Sequence, residues 1–371
     1  MTYYGLSGQR KQILDVIKKL GKAAPNDIIQ TLENKPGNIH DQLIKLTKDD
    51  FIKRVSDREY SLTEKGHAVY DKKRKRKRSI IKFTEEEVKL FHKFARDKEF
   101  YTKISESCLP KLYGMGKEKL GCILSLVSLP DIEHDRNRIH ILLEGEPGCG
   151  KSTLIEGITT EYWGLFADSV RMGTSTIAGS AKGSVYKPGL VQKADMSLLA
   201  VDEIDKLNYK DQRAMLGAMS RGKVTINMDM VVDKETDARI RVMATSNNQS
   251  KILPELRSRF DLQFSIKKLT PEDEAIMIKN MVENWGRKKN PFTGDFMKRY
   301  LQYCNMFDSK LPEDREWIYS YLVEENRFGQ LQSKDNRNKE TVLRLSLAIA
   351  RLRLSSVVKK EHIIKAIELL V

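Results

Sequence analysis

A glycine-rich turn between an apolar strand and a helix constrains the fold of this chain more than any other feature. The segment reads IHILLEGEPGCGKST and contains Gly145-Glu-Pro-Gly-Cys-Gly-Lys-Ser152. The glycines let backbone N–H groups wrap around phosphates, and the helix adds the positive end of its dipole. This strand, turn and helix form the P-loop pattern, which predicts an α/β core that binds a nucleotide.

The P-loop also predicts which residues hold ATP and Mg²⁺. Lys151 is expected to reach the β and γ phosphates, and Ser152 is expected to ligate Mg²⁺. The predicted nucleotide-binding residues are Gly145, Glu146, Pro147, Gly148, Cys149, Gly150, Lys151, Ser152 and Thr153.

A second apolar strand, SLLAVDEIDKL, ends in two acids some 50 residues after the P-loop. Asp202 is predicted to hold Mg²⁺, and Glu203 is predicted to be the general base or the group that orients the attacking water. Alone, an apolar run before two acids is just as typical of a solvated strand end. At this distance from a P-loop, the pair indicates a Walker B site in a nucleotide hydrolase.

Two later segments supply candidates that would act on the γ-phosphate. The strand ARIRVMATSNN ends at Asn247, which is predicted to sense the attacking water, and the alternative is a turn Asn that caps the strand. The segment LPELRSRFDLQF places Arg257 and Arg259 beside a strand. An arginine that reaches a neighbouring subunit's nucleotide contributes about 10³ to 10⁵ in rate, or roughly 4 to 7 kcal/mol. Alone, such arginines are more typical of surface ion pairs.

The N-terminal part predicts three helices and a β-hairpin, which together make a winged helix. GQRKQILDVIKKL carries apolar residues at helical spacing, Pro25 opens a second helix, and Asn38 is the expected N-cap of a third. FIKRVSDREYSLTEKG predicts two short strands joined by a polar turn. The expected apolar stripe of the third helix is Ile39, Leu43, Ile44 and Leu46.

A winged helix would place its third helix in the major groove of duplex DNA and its wing near phosphates. The alternative is a protein-docking module, a role that winged helices also serve. The DNA-binding residues predicted in this domain are Asn38, His40, Gln42, Lys45, Arg54 and Arg58.

The charge balance favours an anionic partner, for which nucleic acid is the obvious candidate. Lys and Arg total 66 against 51 Asp and Glu, a net charge of +15. A surface rich in ion pairs would raise Lys and Glu together and leave the net charge nearer zero. The run KKRKRKR, Lys72 to Arg78, predicts an extended linker, with a phosphate clamp and a nuclear-import signal as alternatives.

Composition also excludes several classes of protein. The four cysteines form no CxxC pair, which argues against a zinc site or a disulfide framework. No apolar stretch approaches the roughly 18 residues that span a bilayer, and the N-terminus lacks a signal core. We therefore expect an intracellular protein without a membrane partner.

Changes in composition along the chain predict four segments. They are a winged-helix domain over 1–71, a polybasic linker over 72–82, an α/β ATPase core over 83–268 and an all-helical lid over 269–371. In the core, strand and helix patterns alternate, whereas five successive segments after Leu269 all have helical periodicity.

From about Ile81 to Val371 the chain resembles the AAA+ core of the minichromosome maintenance (MCM) helicases. The resemblance is carried by FTEEEVKLFHKFA, SESCLPKLYGMGKEKLG, the two Walker motifs, SRFD and VLRLSLAIARLRL, in the family's order. It implies an α/β P-loop NTPase of the AAA+ class with a helical lid. It also implies that Asn247 is sensor 1 and that Arg259 is the arginine finger.

The resemblance places the sensor 2 arginine at Arg337, seven residues before Arg344. In this family that arginine also acts across the subunit interface. Asn338 and Lys339 follow it here, where the family continues with Gln and Leu.

The segments at the positions of the family's two channel hairpins depart from its pattern. The first, GTSTIAGSAKGSVYKPGLVQKAD, is shortened, and the second carries Met228 near the place of a DNA-gripping lysine. Lys223, Lys234 or Arg239 would substitute for that lysine, and the DNA-binding residues predicted in the hairpins are Lys187, Lys223 and Lys234. A pair of purely structural hairpins is the alternative.

At the N-terminus, a winged helix stands where the family has an oligonucleotide-binding domain and a zinc module. MCM chains usually carry a winged helix at the C-terminus, so this chain is expected to be a rearranged and trimmed relative. A mobile-element origin would fit such a form.

The leading interpretation is an ATP-dependent DNA helicase or translocase acting in DNA replication. It would form a homo-oligomeric ring, a hexamer, with single-stranded or forked DNA in the channel and duplex at the winged helix. The alternatives are a replication initiator or loader that binds a specific origin, and a MoxR-like ATPase that remodels protein complexes.

Overall fold

The computed structural model describes residues 8–32, 36–56, 59–63, 81–128, 137–182, 185–228, 231–283, 292, 294–327 and 336–371. The chain divides into two compact units, Met1–Phe83 and Thr84–Val371. Arg58 and the run Lys72 to Arg78, for which DNA contact and a linker were predicted, lie outside the described residues. Among the described residues, no helix is both long and apolar enough to cross a membrane.

The first unit contains three helices followed by an antiparallel hairpin, in the predicted order. Its helices are α1 (Gly8–Leu20), α2 (Pro25–Leu32) and α3 (Pro36–Lys48), and its strands are β1 (Ile52–Ser56) and β2 (Glu59–Leu62). The hairpin packs with the helices around one apolar core that includes Ile13, Ile17, Ile28, Ile39 and Leu43. Assignment of these elements to the winged-helix class stays a prediction.

Two expectations for α3 were wrong. The helix begins at Pro36, so Asn38 lies in its first turn and is not the N-cap. Proline suits a first helical turn because the N–H group that it lacks would have no partner there. Ile44 is 54% exposed, because Ile39 and Leu43 fix the buried face and a residue one step after Leu43 points away from it.

The second unit is built on a five-stranded parallel sheet, with the strand order β11-β3-β10-β7-β4. The strands are β3 (Ile141–Gly145), β4 (Leu165–Asp168), β7 (Leu198–Asp202), β10 (Arg241–Ser246) and β11 (Leu262–Ile266). β10 is buried along its whole length, as expected for a parallel strand covered on both faces. The predicted α/β P-loop core is confirmed.

Helices surround this sheet and connect its strands. They are α4 (Glu85–Ala95), α5 (Phe100–Ser107), α6 (Gly116–Val127), α7 (Lys151–Glu161), α8 (Thr174–Ala178), α9 (Leu190–Lys193), α10 (Tyr209–Arg221) and α11 (Pro254–Arg257). The lead-in helix α4 starts with a capping box between Thr84 and Glu87. Its acidic first turn complements the helix dipole.

Two antiparallel hairpins stand where the channel hairpins were expected. The first pairs β5 (Ser180–Lys182) with β6 (Val185–Lys187), and the second pairs β8 (Lys223–Met228) with β9 (Val231–Asp237). Strands of three residues make the first hairpin short, as the sequence predicted.

The five C-terminal helical segments predicted from the sequence are all helices. They are α12 (Pro271–Glu283), α13 (Asp295–Cys304), α14 (Glu316–Arg327), α15 (Asn336–Leu352) and α16 (Lys360–Leu370). Arg351 of α15 donates hydrogen bonds to the carbonyls of Phe307 and Val127, the latter at 2.7 Å. This side chain therefore ties α15 to the last turn of α6 beside the sheet.

Candidate nucleotide site

The glycine-rich turn between β3 and α7 adopts the backbone shape that an anion site needs. Gly148 and Gly150 have φ of +85° and +84°, and Gly150 is the residue before the first turn of α7. At Gly145 a Cβ atom would lie 2.1 Å from the carbonyl oxygen of Ile266 on the neighbouring strand. These positions require glycine, and the unbonded N–H groups of the first turn of α7 face the turn.

Lys151 lies folded back over this turn. Its Nζ donates to the carbonyl oxygens of Gly145 at 2.8 Å and Glu146 at 2.7 Å. Only 4% of the residue is exposed, so the ammonium is held beside the turn in a largely buried position. A cation anchored here lies where the phosphates of a nucleotide would meet the P-loop.

Asp202, at the carboxyl end of β7, is joined to the P-loop helix by a short hydrogen-bond chain. Its Oδ1 accepts from Ser152 Oγ at 2.7 Å and from Thr245 Oγ1 at 2.5 Å. A hydroxyl and a carboxylate at this separation are the hard oxygen ligands that Mg²⁺ prefers. With Lys151 and the glycine turn, they make a donor set that fits a magnesium nucleotide.

Glu203 is held in a left-handed backbone conformation with φ of +53°. Its N–H donates to Thr245 Oγ1 at 2.8 Å, so one hydroxyl is bonded to both acids of the pair. A positive φ at a non-glycine residue costs of the order of 1 to 3 kcal/mol and is typical of functional sites. Glu203 is therefore a candidate functional residue on its backbone conformation as well as on its position after β7.

Two nitrogen donors contact the Glu203 carboxylate. Asn247 Nδ2 donates to Oε1 at 3.1 Å, and Lys206 Nζ lies 2.5 Å from Oε2. The hydrogen bond to Glu203 raises the pKa of Lys206. The structure thus brings Asn247 to the Walker B acid, as its position after β10 suggested.

Thr245 and Lys206 were not predicted as site residues. Thr245 is 1% exposed and lies in β10, two residues before Asn247, so the approach of β10 to β7 brings both side chains to the Walker B acids. Lys206 follows Glu203 by three residues and lies on the same side of a one-turn helix, Ile204–Lys206. The signal in each case was a polar residue at short spacing from a predicted one.

Arg259 lies at the amino edge of the sheet, where the parallel strands begin, whereas the P-loop lies at the carboxyl edge, where they end. β11 runs parallel to β3, with Leu262 opposite Ile141 and Ile266 opposite Gly145. Arg259 precedes β11, so about 13 Å of strand separates its edge from the edge that carries the P-loop. Within one chain, Arg259 therefore does not lie at the P-loop.

Arg257 has an intramolecular role. Its Nη2 lies 3.3 Å from Oε2 of Glu144, which is almost fully buried, and its Nε donates to Gln263 at 3.1 Å. Burial raises the pKa of Glu144, and the nearby guanidinium opposes that rise. For Arg257, the ion-pair interpretation is the one the structure favours.

The candidate DNA-binding residues fall into three groups. Asn38, His40, Lys45, Arg54 and Lys187 are exposed, and the side chain of Lys234 lies outside the described residues. The side chain of Arg337, the predicted sensor 2 arginine, also lies outside them.

The third group already has protein partners. Gln42 is half-buried and accepts from Arg10 Nε at 2.8 Å, while Lys223 pairs with Glu235 at 3.0 Å. Arg239, the substitute considered for the gripping lysine, forms a two-pronged contact with Asp195 at 3.2 and 3.1 Å. It therefore braces the base of the second hairpin.

Comparison with known proteins agrees with this architecture. The MCM P-loop domain model matches residues 87–284, and the MCM AAA-lid domain model matches residues 295–371. An MCM-type protein of Methanocaldococcus jannaschii is 26% identical over 77% of this chain and 43% of its own length. The minichromosome maintenance protein MCM of Saccharolobus solfataricus is 24% identical over 98% of this chain and 57% of its own.

A plant relative matches the chain with similar identity and coverage. The DNA replication licensing factor MCM7 of Arabidopsis thaliana is 25% identical over 80% of this chain and 46% of its own length. The chain thus spans about half the length of the curated relatives it matches. Since the P-loop model alone matches more than half of the residues and the lid model continues to the last one, the chain belongs to the MCM family.

Proposed function

We propose that this chain is an ATP-dependent DNA motor of the MCM type, a helicase or translocase that acts in DNA replication. The observation that carries the proposal is the grouping of Ser152, Asp202, Glu203 and Asn247 beside a P-loop whose lysine is already in place. Such a grouping serves phosphoryl transfer to water, because it combines phosphate binding, metal ligation and a base.

The residues of the P-loop would bind ATP. The turn from Gly145 to Gly150 and the N-terminus of α7 would receive the phosphates, and Lys151 would exchange its carbonyl partners for phosphate oxygens. Ser152 and Asp202 would ligate Mg²⁺, which when bound supplies a Lewis acid at the β and γ phosphate oxygens.

Glu203 is proposed as the general base and Asn247 as the group that orients the attacking water. Both side chains face the same point, since Asn247 Nδ2 contacts Glu203 Oε1. A water between the carboxylate and the γ-phosphate would give its proton to Glu203, while the amide of Asn247 would hold it in line.

Arg259 supports a ring of identical subunits. Because it lies at the sheet edge opposite its own P-loop, it is proposed to serve the nucleotide of a neighbouring copy. A contact between two different faces of a subunit closes into a ring when the rotation permits. The family resemblance implies a hexamer, with Arg337 as a second residue that acts on the neighbour.

DNA is the polymer along which the proposed motor would move. The net charge of +15 favours it, and so do the replication names of the relatives. The exposed residues Asn38, His40, Lys45 and Arg54 would contact duplex DNA from the first unit, and the two hairpins would contact the strand in the channel. Salt should weaken this binding steeply, because phosphate contacts dominate it.

The short first hairpin favours a second candidate. Strands of three residues give β5 and β6 little reach into a channel. A loader or initiator would use ATP to assemble on an origin without processive unwinding, and it would leave a sequence-specific footprint on DNA.

ATP hydrolysis tests the proposal, measured without DNA and with single-stranded, forked and duplex DNA at two salt concentrations. We expect stimulation by single-stranded or forked DNA, and losses of about 10² to 10⁴ in Glu203→Gln and about 10³ or more in Arg259→Ala. Strand displacement on forked DNA follows in the same preparations.

Three outcomes would count against the helicase. Hydrolysis that ignores DNA would favour a protein-remodelling ATPase. DNA-stimulated hydrolysis that never displaces a strand would favour the loader. Hydrolysis that survives Glu203→Gln would remove the proposed base.

A further inference from the structure

A buried carboxylate joins the lid to the turn that carries Arg259. Asp261 Oδ1 accepts from Arg344 Nη1 at 2.9 Å and from Thr341 Oγ1 at 3.0 Å. Its Oδ2 accepts from the backbone N–H of His140 at 2.8 Å. The Asp261 side chain is 3% exposed and that of Arg344 is 18% exposed, so the contact is held away from solvent. One side chain thus connects β3, β11 and α15.

This contact lies at the amino edge of the sheet, opposite the P-loop. His140 immediately precedes β3, and Asp261 immediately precedes β11. Arg259 is two residues before Asp261, so any movement of Asp261 moves the turn that presents Arg259.

The edge is rich in positive charge. Burial lowers the pKa of His140 well below its usual value, and the charges of Arg138, Arg344 and Arg259 lower it further. Burial raises the pKa of Asp261, and the charge of Arg344 opposes that rise. The Asp261 carboxylate is therefore held between Arg344 of the lid and the residue that precedes β3.

We propose that Arg344 is a positioning residue that acts in trans. Through Asp261, it holds Arg259 and the first two turns of α15 as one rigid unit, and this unit meets the nucleotide bound by a neighbouring copy of the chain. The inference rests on the proposed ATPase. The inference adds that the contact between Arg344 and Asp261 in one subunit positions residues that act on the nucleotide of the next subunit.

The position of α15 supports this reading. The helix begins at Asn336, and Thr341 and Arg344 lie in its second and third turns. Both contact Asp261, so the start of the helix is fixed relative to the amino edge. Arg351, two turns later, bonds to the carbonyl of Val127, away from Asp261. The two arginines therefore anchor one helix at two separate places.

The variants Arg344→Met and Arg344→Lys test the inference in the full chain. We expect Arg344→Met to lower kcat for ATP by about 10²-fold, as a misplaced reactive group does, with KM within about twofold because its own P-loop is intact. Arg344→Lys keeps a positive charge beside Asp261 and should lose less. Arg351→Met is the matched control, because it loosens the same helix without touching Asp261.

Mixing variants separates a trans role from a cis role. Arg344→Met subunits keep Lys151, and Lys151→Ala subunits keep Arg344. A 1:1 mixture should regain up to about a quarter of wild-type activity, because each ring interface takes one face from each neighbour. Arg259→Ala mixed with Lys151→Ala is the positive control. Glu203→Gln with Lys151→Ala should stay inactive, since both residues serve the same chain's nucleotide.

The outcomes are distinct. Three results would overturn the inference and leave the proposed function standing. The first is full activity in Arg344→Met, and the second is an equal loss of activity in Arg351→Met. The third is a mixture that restores activity for Arg259→Ala but not for Arg344→Met. A wild type without ATP hydrolysis would overturn the proposed function and this inference with it. If Arg344→Met shows no cooperative thermal transition, Arg344→Lys takes its place in the mixture.

Discussion

The two edges of the parallel sheet differ in how their polar residues are satisfied. At the carboxyl edge, Asp202 accepts from Ser152 of the P-loop helix, Thr245 joins Asp202 to Glu203, and Asn247 donates to Glu203. At the amino edge, Asp261 is paired with Arg344 and accepts from the N–H of His140. The first edge is a set of groups that fits a magnesium nucleotide, whereas the second joins the lid to the turn that presents Arg259. The difference teaches that the groups beside the P-loop are fixed locally, whereas the turn that carries Arg259 is tied to the lid.

At the carboxyl edge, we expect the largest loss of activity from removal of the Thr245 hydroxyl. This hydroxyl donates to Asp202 and accepts from the N–H of Glu203, so Thr245→Val disconnects the metal ligand from the base. We expect a fall in kcat of roughly 10 to 100-fold. The free energy of unfolding, from urea titration, should fall by about 1 to 3 kcal/mol because a buried N–H loses its partner.

Thr245→Ser is the control for this prediction. It keeps the hydroxyl and removes only a methyl group, so kcat should stay close to that of the wild type. If Thr245→Val and Thr245→Ser had the same kcat, the hydroxyl link between Asp202 and Glu203 would have no part in catalysis.

Lys206 offers a smaller perturbation of the same edge. Its ammonium lies 2.5 Å from Glu203 Oε2, where it would compete with the attacking water for the carboxylate. Lys206→Met should therefore raise ATP hydrolysis in the absence of DNA by roughly two- to fivefold, the scale of an exposed ion pair. The ratio of hydrolysis with DNA to hydrolysis without it should fall accordingly.

The neighbouring lysine Lys210 provides the matched control. It is exposed on α10, and Lys210→Met should leave both rates unchanged. A slower Lys206→Met enzyme would mean that the lysine assists the carboxylate during the reaction.

The sequence predicted the carboxyl edge far better than the amino edge. The P-loop, Asp202, Glu203 and Asn247 follow strands in recognisable spacings, and strand ends in a parallel sheet meet at one edge. Thr245 and Lys206 were missed because their contacts depend on the approach of β10 to β7 and on the left-handed turn at Glu203. The short spacing of these polar residues from predicted ones was visible in the sequence, but neither of these two structural features was.

At the amino edge, SRFD and the α15 helix were each recognised, but their contact was not. Asp261 and Arg344 meet because β11 pairs with β3 and the lid folds back over that pair. In the first unit, Ile44 was placed on the apolar stripe because it is apolar. Helical periodicity allowed only Ile39, Leu43 and Leu46 to be buried together.

The pH dependence of the free energy of unfolding should also distinguish the two edges. The folded-state pKa of His140 lies well below its usual value, because burial and three guanidinium groups disfavour the charged ring. The unfolded chain therefore takes up a proton near pH 6.5 that the folded chain refuses, so stability is present above that pH and is lost as the pH falls. The expected slope is about 1.4 kcal/mol per unit of pH.

His362 adds a slope of the same sign, because burial lowers its pKa to about 4, so the two must be separated. Urea unfolding of the wild type, His140→Gln and His362→Gln between about pH 7.5 and about pH 5 does this. Each substitution should reduce the slope of unfolding free energy against pH by the contribution of one proton. The double variant, with both histidines replaced, should reduce it by the contribution of two protons. If His140→Gln kept the full wild-type slope while His362→Gln removed part of it, the amino edge would carry no proton-linked stability. The contrast between the two edges would then rest on the ion pair of Asp261 and Arg344 alone.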